Sequence, residues 1–393
     1  MDNSFAARMG SVQKSFIREI LKVTENPQVI SFAGGLPNPK LFPVQEIRQA
    51  TIKVLDESGD SVLQYSTTEG FLPLRQYLAD RYARNKGLVV DPDEILITHG
   101  SQQGLDLIGK VFLDKGDGIT IERPGYLGAI QAFSMFQPQF HSVPLLDDGV
   151  DITALAATLR EHRSKLFYGV PNFQNPSGIT YSGQNRKSVA DILKQHGTIF
   201  VEDDPYGELR FIGGNLPSLR TYLGDRAILL GSFSKIIAPG MRLGWICAAR
   251  ETMEKIIVAK QAADLHTSFF TQRVIYQYLA DNDIDSHIAT IREAYKRQRE
   301  AMVSAIERHF PDGVQCTKPE GGMFLWVTLP EGISSMELFE LASRENVAFV
   351  PGAPFYTDGG GGDTLRLNYS CSDEATIEEG IGRLSEAIRK LLA

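Results

Sequence analysis

Short apolar runs alternate with segments of helical spacing through most of this chain, and no other feature restricts its fold as strongly. The clearest runs cover residues 94–98, 118–122, 165–170, 198–202 and 227–230, and each has the length of a buried strand. Strands that alternate with helices in this way indicate a mostly parallel sheet with helices on both faces. The sequence therefore predicts an α/β fold.

The length of 393 residues exceeds the usual size of a single hydrophobic core, so we expect two domains. We expect an N-terminal arm at residues 1–30, a large domain at 31–283 and a smaller domain at 284–393, although residues 31–45 could pack with the smaller one. A long charged helix at 284–309 should open the smaller domain, and alternating strands follow it, which is typical of an α+β unit.

Charge and cysteine content narrow the class of protein. The net charge of −8 disfavours a nucleic-acid or anionic membrane partner. Cys247, Cys316 and Cys371 are widely spaced and form no CxxC motif, so we expect neither a disulfide framework nor a zinc site. The first residues do not combine a basic region with an apolar core, and no run of about 20 apolar residues could span a bilayer. These observations predict a cytoplasmic protein.

The segment at residues 230–245 carries the densest set of reactive groups, and it reads Leu-Gly-Ser-Phe-Ser-Lys-Ile-Ile-Ala-Pro-Gly-Met-Arg-Leu-Gly-Trp. Ser232, Ser234 and Lys235 come together where a strand ends, and Arg242 follows shortly after. Hydroxyls and a guanidinium can bind a phosphate, and a partly desolvated lysine can form a Schiff base with an aldehyde. A loop lysine alone is more often a solvated charge, but these neighbours favour a site for a phosphorylated ligand.

A second candidate phosphate site follows the strand at 94–98, where His-Gly-Ser-Gln-Gln opens a helix. A strand, small residues and a helix start aim free backbone N–H groups and the positive helix end at a phosphate. Ser101 and Gln102 are therefore candidate phosphate ligands. The motif is weak evidence alone, and the lysine and arginine segment strengthens it.

Three further side chains are candidates for ligand binding. Tyr126 follows a strand end, where it could stack on a planar ring. Asp203 also ends a strand, although a carboxylate there often only caps the next helix. Arg366 lies in a predicted strand; a surface salt bridge is its ordinary role, and bidentate binding of a carboxylate is the alternative. No Gly-x-Gly-x-x-Gly follows the first strand, which disfavours a nicotinamide site.

Several motifs together resemble one enzyme family. Ser-Phe-Ser-Lys followed by Pro-Gly-Met-Arg-Leu-Gly-Trp is similar to the pyridoxal-phosphate lysine motif of fold-type I aminotransferases. Ser-Phe-Ala-Gly-Gly-Leu-Pro from Ser31, Gln-Tyr-Ser-Thr-Thr-Glu-Gly from Gln64 and Gly-Ser-Gln-Gln-Gly-Leu-Asp-Leu from Gly100 resemble the 2-aminoadipate/kynurenine aminotransferase subgroup. The resemblance extends from about Ser15 to the C-terminal helix. It implies a large domain with a mostly parallel seven-stranded sheet, a smaller α+β domain and a homodimer with shared active sites.

The resemblance assigns catalytic roles to particular positions. It implies that Lys235 holds pyridoxal phosphate and then moves a proton. It implies that Asp203 pairs with the pyridine nitrogen, which makes the ring a better electron acceptor. Tyr206 would donate to the phenolic oxygen of the ring. Asn175 would contact that oxygen and the substrate carboxylate, which Arg366 would bind.

The remaining roles that the resemblance implies concern the cofactor phosphate, its ring and the substrate side chain. The implied phosphate ligands are Ser101, Gln102, Ser232, Ser234, Arg242 and, from the neighbouring subunit, Tyr65. Tyr126 would stack on the ring. Ser15, Arg18 and Gly35 would lie at the substrate, with Arg18 on a mobile arm; the alternative for Arg18 is an ordinary surface position.

The expected reaction is transamination between an L-amino acid and a 2-oxo acid such as 2-oxoglutarate. An arginine on a mobile arm could pair with the second carboxylate of 2-aminoadipate or glutamate and move away for leucine or aromatic substrates. Three alternatives stay open at this stage: a decarboxylation, β-elimination or racemisation with the same cofactor, an effector-binding domain of a regulator, and a ligand-binding protein without activity. Exchange of amino groups between substrates would distinguish transamination from the other reactions of the cofactor. A helix-turn-helix module ahead of the fold would indicate a regulator.

Overall fold

The computed structural model describes residues 4–10, 26 and 28–392. Its strands are β1 (Ile30–Ser31), β2 (Ile95–Thr98), β3 (Gly118–Arg123), β4 (Gln139–Leu146), β5 (Gly149–Val150), β6 (Ser164–Gly169), β7 (Ile199–Asp203), β8 (Ala227–Ser232), β9 (Gly244–Cys247), β10 (Gln315–Cys316), β11 (Phe324–Thr328), β12 (Val347–Ala348), β13 (Val350–Pro351) and β14 (Thr364–Asn368).

The α-helices of the described residues alternate with these strands. They are α1 (Val44–Val62), α2 (Leu72–Lys86), α3 (Gly100–Phe112), α4 (Leu127–Ser134), α5 (Ile152–Glu161), α6 (Gly183–His196), α7 (Arg220–Leu223), α8 (Arg250–Ala263), α9 (Phe269–Asp281), α10 (Ile284–His309), α11 (Ser335–Arg344) and α12 (Glu374–Leu392). The long helix expected at 284–309 is present with the expected bounds. Within the described residues, no helix combines the length and the apolar character that a membrane crossing requires.

The large sheet has eight strands in the order β2-β9-β8-β7-β6-β3-β4-β5. Strands β9 and β5 are antiparallel to their neighbours, and the pairs β8/β7, β7/β6, β6/β3 and β3/β4 are all parallel. The prediction of an α/β fold with a mostly parallel sheet is confirmed. The sheet has one strand more than the expected seven because the two residues of β5 add a short edge strand that no sequence pattern marks.

A second, smaller sheet follows α10 in the chain. It is antiparallel, in the order β10-β11-β14-β13. The segment after β1 is tied to this part of the molecule, since β1 pairs with β12 and the Phe32 carbonyl accepts a hydrogen bond from the Asn368 N–H. A chain division near residue 283 remains a prediction, and these contacts support the expectation that residues 31–45 could pack with the smaller unit.

The buried strands of the large sheet place polar residues at one edge. Every residue of β8 is buried, and so are the last four of β7, because helices cover both faces of the sheet. Side chains along most of these strands are therefore apolar, and polar groups gather where the strands end. Asp203 ends β7 and Ser232 ends β8, and parallel strands that end at the same edge bring such residues together.

Candidate active site

A cleft of about 1150 Å³, part of it open to solvent, lies at the carboxyl ends of these strands. We call it the Lys235 cleft. Its lining residues are Gly35, Leu36, Gly100, Ser101, Gln102, Tyr126, Val170, Asn175, Asp203, Pro205, Tyr206, Ser232, Ser234, Lys235, Pro239, Arg242 and Arg366. The structure thus brings together every site residue expected from the sequence except three.

The exceptions are Tyr65, Ser15 and Arg18. Tyr65 is described and is 79% exposed, away from the lining of the Lys235 cleft of its own chain. Ser15 and Arg18 lie outside the described residues, so their roles remain predictions.

Lys235 lies in a short 3₁₀ turn directly after β8. The turn starts because the Ser232 hydroxyl accepts a hydrogen bond from the Ser234 N–H at 3.1 Å. The Lys235 ammonium donates to the carbonyl oxygen of Gly35 at 2.9 Å. Burial, together with the positive charges of Arg366 and Arg242, lowers the pKa of Lys235 to about 8. Near neutral pH a useful fraction of this amine is therefore unprotonated and nucleophilic.

Asp203 presents a carboxylate oxygen that no group of the described chain satisfies. It is 1% exposed, and the Tyr168 hydroxyl donates to its Oδ2 at 2.8 Å. Its Oδ1 is buried without a hydrogen-bond partner. Burial raises the pKa of Asp203 to about 7, against the lowering effect of the Tyr168 bond. A cationic N–H donor bound in the cleft would supply the missing partner and favour the ionised carboxylate.

The opposite end of the cleft suits an anion. Helix α3 begins at Gly100, and the first N–H groups of a helix have no carbonyl partner within it. Gly100 has φ +72°, and a Cβ atom there would lie 2.9 Å from Nη2 of Arg242. That guanidinium donates to the His99 carbonyl at 3.3 Å. Free N–H groups, the positive helix end and a guanidinium thus meet where the serine hydroxyls also lie.

Arg366 forms the third polar group of the cleft. Its guanidinium donates to Oδ1 of Asn175 at 2.8 Å and to the Ala33 carbonyl at 2.7 Å, while its buried Nε has no partner. The guanidinium also lies over the Phe324 ring, 4.5 Å from its centre. Burial lowers the pKa of Arg366 to about 10. Among the described residues it forms no ion pair, so a carboxylate ligand would supply the missing counter-charge.

Two tyrosines and an asparagine line the space between these groups. The Asn175 amide donates to the Tyr206 hydroxyl at 3.4 Å. Tyr206 also packs edge to face on Phe324, with ring centres 5.8 Å apart. Tyr126 lines the cleft close to Gly128, where a Cβ atom would lie 2.6 Å from its ring. This glycine therefore allows the Tyr126 ring its place beside the cleft.

Sequence reasoning missed two supporting residues. Tyr168 is the hydrogen-bond donor to Asp203, and it lies on β6 as one buried aromatic among several. Phe324 supports both Arg366 and Tyr206 from β11. No local signal marks either residue, because their partners lie on strands far away in the sequence.

The chain matches the family model of class I and II aminotransferases over residues 28–384 and belongs to that family. This membership confirms the predicted class of enzyme, an aminotransferase that uses pyridoxal phosphate, and the predicted fold.

Individual relatives cover nearly the whole chain. A 2-aminoadipate transaminase of Thermus thermophilus is 44% identical, over 99% of this chain and 98% of its own. The solved α-aminoadipate aminotransferase LysN of Thermus thermophilus, in complex with N-(5'-phosphopyridoxyl)-L-leucine, superposes with a TM-score of 0.93 at 43% identity, over 99% of this chain and 98% of that one. The solved kynurenine aminotransferase of Pyrococcus horikoshii gives a TM-score of 0.96 at 43% identity, over 100% of this chain and 98% of that one.

Proposed function

We propose that this chain exchanges amino groups between L-amino acids and 2-oxo acids at the Lys235 cleft. The observation that carries the proposal is the orphaned oxygen of Asp203, placed in one cleft with a lysine of lowered pKa and an arginine that has no counter-ion among the described residues. These three groups match a cationic ring nitrogen, an aldehyde and a carboxylate. Family membership supports the same assignment.

The residues of the cleft fit pyridoxal phosphate along its whole length. Asp203 would bind the ring nitrogen, Tyr206 and Asn175 the ring oxygen, and Tyr126 the ring face. The phosphate would lie at the anion-binding end, held by the start of α3 and by Ser101, Gln102, Ser232, Ser234 and Arg242. When bound, the cofactor supplies an aldehyde that links to amines and a ring that accepts electrons from the α carbon.

The chain's own residues then handle binding and proton movement. Arg366 and Asn175 would hold the α-carboxylate, so that the α C–H bond points toward Lys235. The Lys235 amine, unprotonated in part because of its burial, would take the proton from the α carbon and deliver it to the carbon atom that was the aldehyde carbon of the cofactor. The Gly35 carbonyl holds the ammonium form of Lys235 in place between these steps.

A broad choice of amino acids fits the lining of the cleft. Among the described lining residues, the cationic ones are Lys235, Arg242 and Arg366, and each already has a role. A second carboxylate, as in 2-aminoadipate or glutamate, therefore needs another cation, and we assign it to Arg18. Leu36 lines the same cleft, is 58% exposed and offers an apolar contact for leucine or aromatic side chains. The named substrates of the relatives cover both classes, and we propose 2-oxoglutarate as the acceptor.

Replacing Arg18 tests its assignment to the second carboxylate. Arg18→Ala should raise the KM for 2-aminoadipate about 10- to 100-fold, because a charge-assisted contact contributes about 1.5–3 kcal/mol. The KM for leucine should stay nearly constant. Equal losses for both substrates would show that Arg18 acts only structurally.

We also propose a homodimer in the cytoplasm. Tyr65 and Leu63, two positions apart, are 79% and 70% exposed, and an exposed aromatic and apolar pair of this kind suits burial against a second copy. Tyr65 would then reach the phosphate in the partner's cleft. The three free cysteines fit a reducing compartment. Sedimentation would test the dimer. Tyr65→Phe should weaken cofactor binding without dissociating the dimer.

Two half-reactions test the proposed chemistry directly. The purified, cofactor-loaded protein should convert an added amino acid to its 2-oxo acid and change its visible spectrum. Addition of 2-oxoglutarate should then restore the first spectrum and yield glutamate. Release of carbon dioxide or ammonia instead, or racemisation of the amino acid, would favour the alternative reactions. Lys235→Ala should abolish both half-reactions while the far-ultraviolet circular dichroism stays unchanged.

A further inference from the structure

A lysine with no exposed surface lies on the far side of the phosphate end of the cleft. Lys260, on α8, is 0% exposed, and its ammonium donates to Gln103 Oε1 at 3.1 Å and to Thr267 Oγ1 at 3.1 Å. It also donates to both oxygens of Asp264, at 2.8 and 2.9 Å. We call Lys260, Gln103, Asp264 and Thr267 the Lys260 cluster. A buried ammonium is costly unless it is paired and hydrogen-bonded, and here Asp264 and two neutral oxygens supply those partners.

One of its contacts fixes the amide of Gln103. Gln103 Oε1 accepts from Lys260 and from the His99 N–H at 2.9 Å, and its Nε2 donates to Asp264 Oδ2 at 2.8 Å. Ammonium and carboxylate together allow only one orientation of this amide. In that orientation its oxygen caps the N–H of the residue that precedes α3. His99 forms no side-chain cap of its own, and Gln103 bonds only the His99 N–H, so the N–H groups of the first turn stay available to a ligand.

The other branch fixes the end of the preceding strand. Thr267 Oγ1 accepts from Lys260 and donates to the Ile97 carbonyl of β2 at 3.1 Å. The Thr267 carbonyl lies 2.9 Å from Nδ1 of His266. When Nδ1 carries the proton and donates to this carbonyl, Nε2 of the same ring accepts from the Ser66 N–H at 3.4 Å. The cluster therefore holds both the strand before α3 and the segment next to Tyr65.

We propose that Lys260 is a positioning residue for the cofactor phosphate, acting through Gln103 on the first turn of α3. The proposal rests on the proposed function, because it assumes that a phosphate binds at that turn. Without the ammonium, Gln103 Oε1 and the Asp264 carboxylate each lose a partner, so the amide that bonds the His99 N–H is held less firmly. The N–H groups of Gly100 to Gln102 would then lose their fixed direction toward the phosphate.

The effect is one of position rather than of net charge. Asp264 lies against Lys260 and is 3.4 Å from the His99 ring, so the cluster adds almost no net positive charge to the phosphate end. Loss of the Gln103 amide, which changes no charge, should therefore weaken only ligands that use the first turn of α3, whereas Lys260→Met also leaves the Asp264 charge unpaired. The aldehyde end of the cleft, with Lys235, lies outside the cluster and should be unaffected.

Comparison of pyridoxal phosphate with pyridoxal separates these ends, since the two differ only in the phosphate. The dissociation constants would be measured by absorbance titration of cofactor-free protein. Lys260→Met should weaken binding of pyridoxal phosphate about tenfold, the loss expected from one hydrogen bond to a charged group. Binding of pyridoxal should stay constant. Lys255→Met is the matched control, because Lys255 is an exposed lysine of the same helix, and it should change neither constant.

A second variant keeps the test decisive if Lys260→Met does not fold. Gln103→Met, at a partly exposed position, should give the same selective loss, and the double variant should lose no more than either single one. Unchanged affinity in Gln103→Met, or equal losses for both ligands, would overturn the proposal. Wild-type protein that binds pyridoxal phosphate no better than pyridoxal would instead contradict the proposed function.

Discussion

The charge state of Asp203 should be visible in the stability of the cofactor-free protein. Burial raises the pKa of Asp203 from 3.8 to about 7, which corresponds to about 4 kcal/mol against the ionised form. Because the folded-state pKa lies above the unfolded one, the unfolded chain releases this proton first as pH rises. The cofactor-free protein therefore loses stability from about pH 4 until the group is ionised above about pH 7.

Asp203→Asn should remove the part of the pH dependence of stability that Asp203 causes. Between pH 5 and pH 8 the wild-type carboxyl group should lower the free energy of unfolding by about 2.5 kcal/mol, and an amide cannot do so. Urea unfolding of both cofactor-free proteins at the two pH values measures the difference. Any packing cost of the amide is the same at both values and drops out. Glu122, whose pKa burial also raises to about 7, is present in both proteins; loss of the Asp203 charge lowers that pKa and so changes the difference in the same direction.

The neighbouring carboxylate supplies the control. Burial raises the pKa of Asp204, but the ion pair with Lys86 and the hydrogen bond from Asn172 outweigh it, and the net direction is downward. Asp204 is therefore ionised throughout pH 5 to 8 and takes up no proton of its own. Asp204→Asn should reduce the pH dependence only by the part of the Asp203 pKa shift that the Asp204 charge supplies, and so by less than Asp203→Asn does. If Asp203→Asn leaves the dependence unchanged, the buried, unsatisfied carboxylate is not the origin of the effect.

Asp203→Asn should also slow catalysis once the cofactor is bound. An amide cannot hold a proton on the ring nitrogen, so the single-turnover rate should fall by several orders of magnitude, or about 4–7 kcal/mol. A loss of less than tenfold would refute the electron-acceptor role.

Three further predictions concern the rest of the cleft. The rate at which pyridoxal phosphate attaches to Lys235 should rise with pH and level off above about pH 8, because burial lowers the pKa of the amine to about 8. Stopped-flow absorbance measures this rate, and a rise that continues to pH 10 would contradict the prediction. Arg366→Lys should raise the KM for amino acids about 10- to 100-fold without changing cofactor affinity, because one fork-shaped contact is lost. Gly100→Ala, at φ +72° and against Arg242, should weaken pyridoxal phosphate more than pyridoxal in absorbance titrations, and equal weakening would exclude the phosphate end as the cause.

Sequence reasoning could place residues in one cleft where chemistry and local structure coincide. Lys235 and Arg242 lie in one short segment whose composition already favours a phosphorylated aldehyde. The alternation of strands and helices likewise predicted the large sheet, because continuous burial leaves continuous apolar runs.

Other parts of the site depend on contacts between distant segments. Arg366 and Asn175 are 191 positions apart, and their pairing follows from how the small sheet lies against the large one. Tyr168 meets Asp203 only because β6 and β7 are neighbours in register. The Lys260 cluster is another such case, since a lysine on an amphipathic helix reads as a solvated charge until its burial is seen. Propensity and spacing carry no information on these pairings.

The segment between β1 and α1 gives the two sheets a shared part. Through Phe32 it is bonded to β14, the strand that carries Arg366, and Arg366 itself donates to the Ala33 carbonyl. Two residues further on, the Gly35 carbonyl holds the Lys235 ammonium of the large sheet. Any rotation of the small sheet about this segment should therefore move the Gly35 carbonyl relative to the Lys235 side chain. Capture of a carboxylate by Arg366 and the position of Lys235 are in this way coupled through three consecutive residues, and a substrate that does not contact Arg366 leaves the Lys235 side chain where it was.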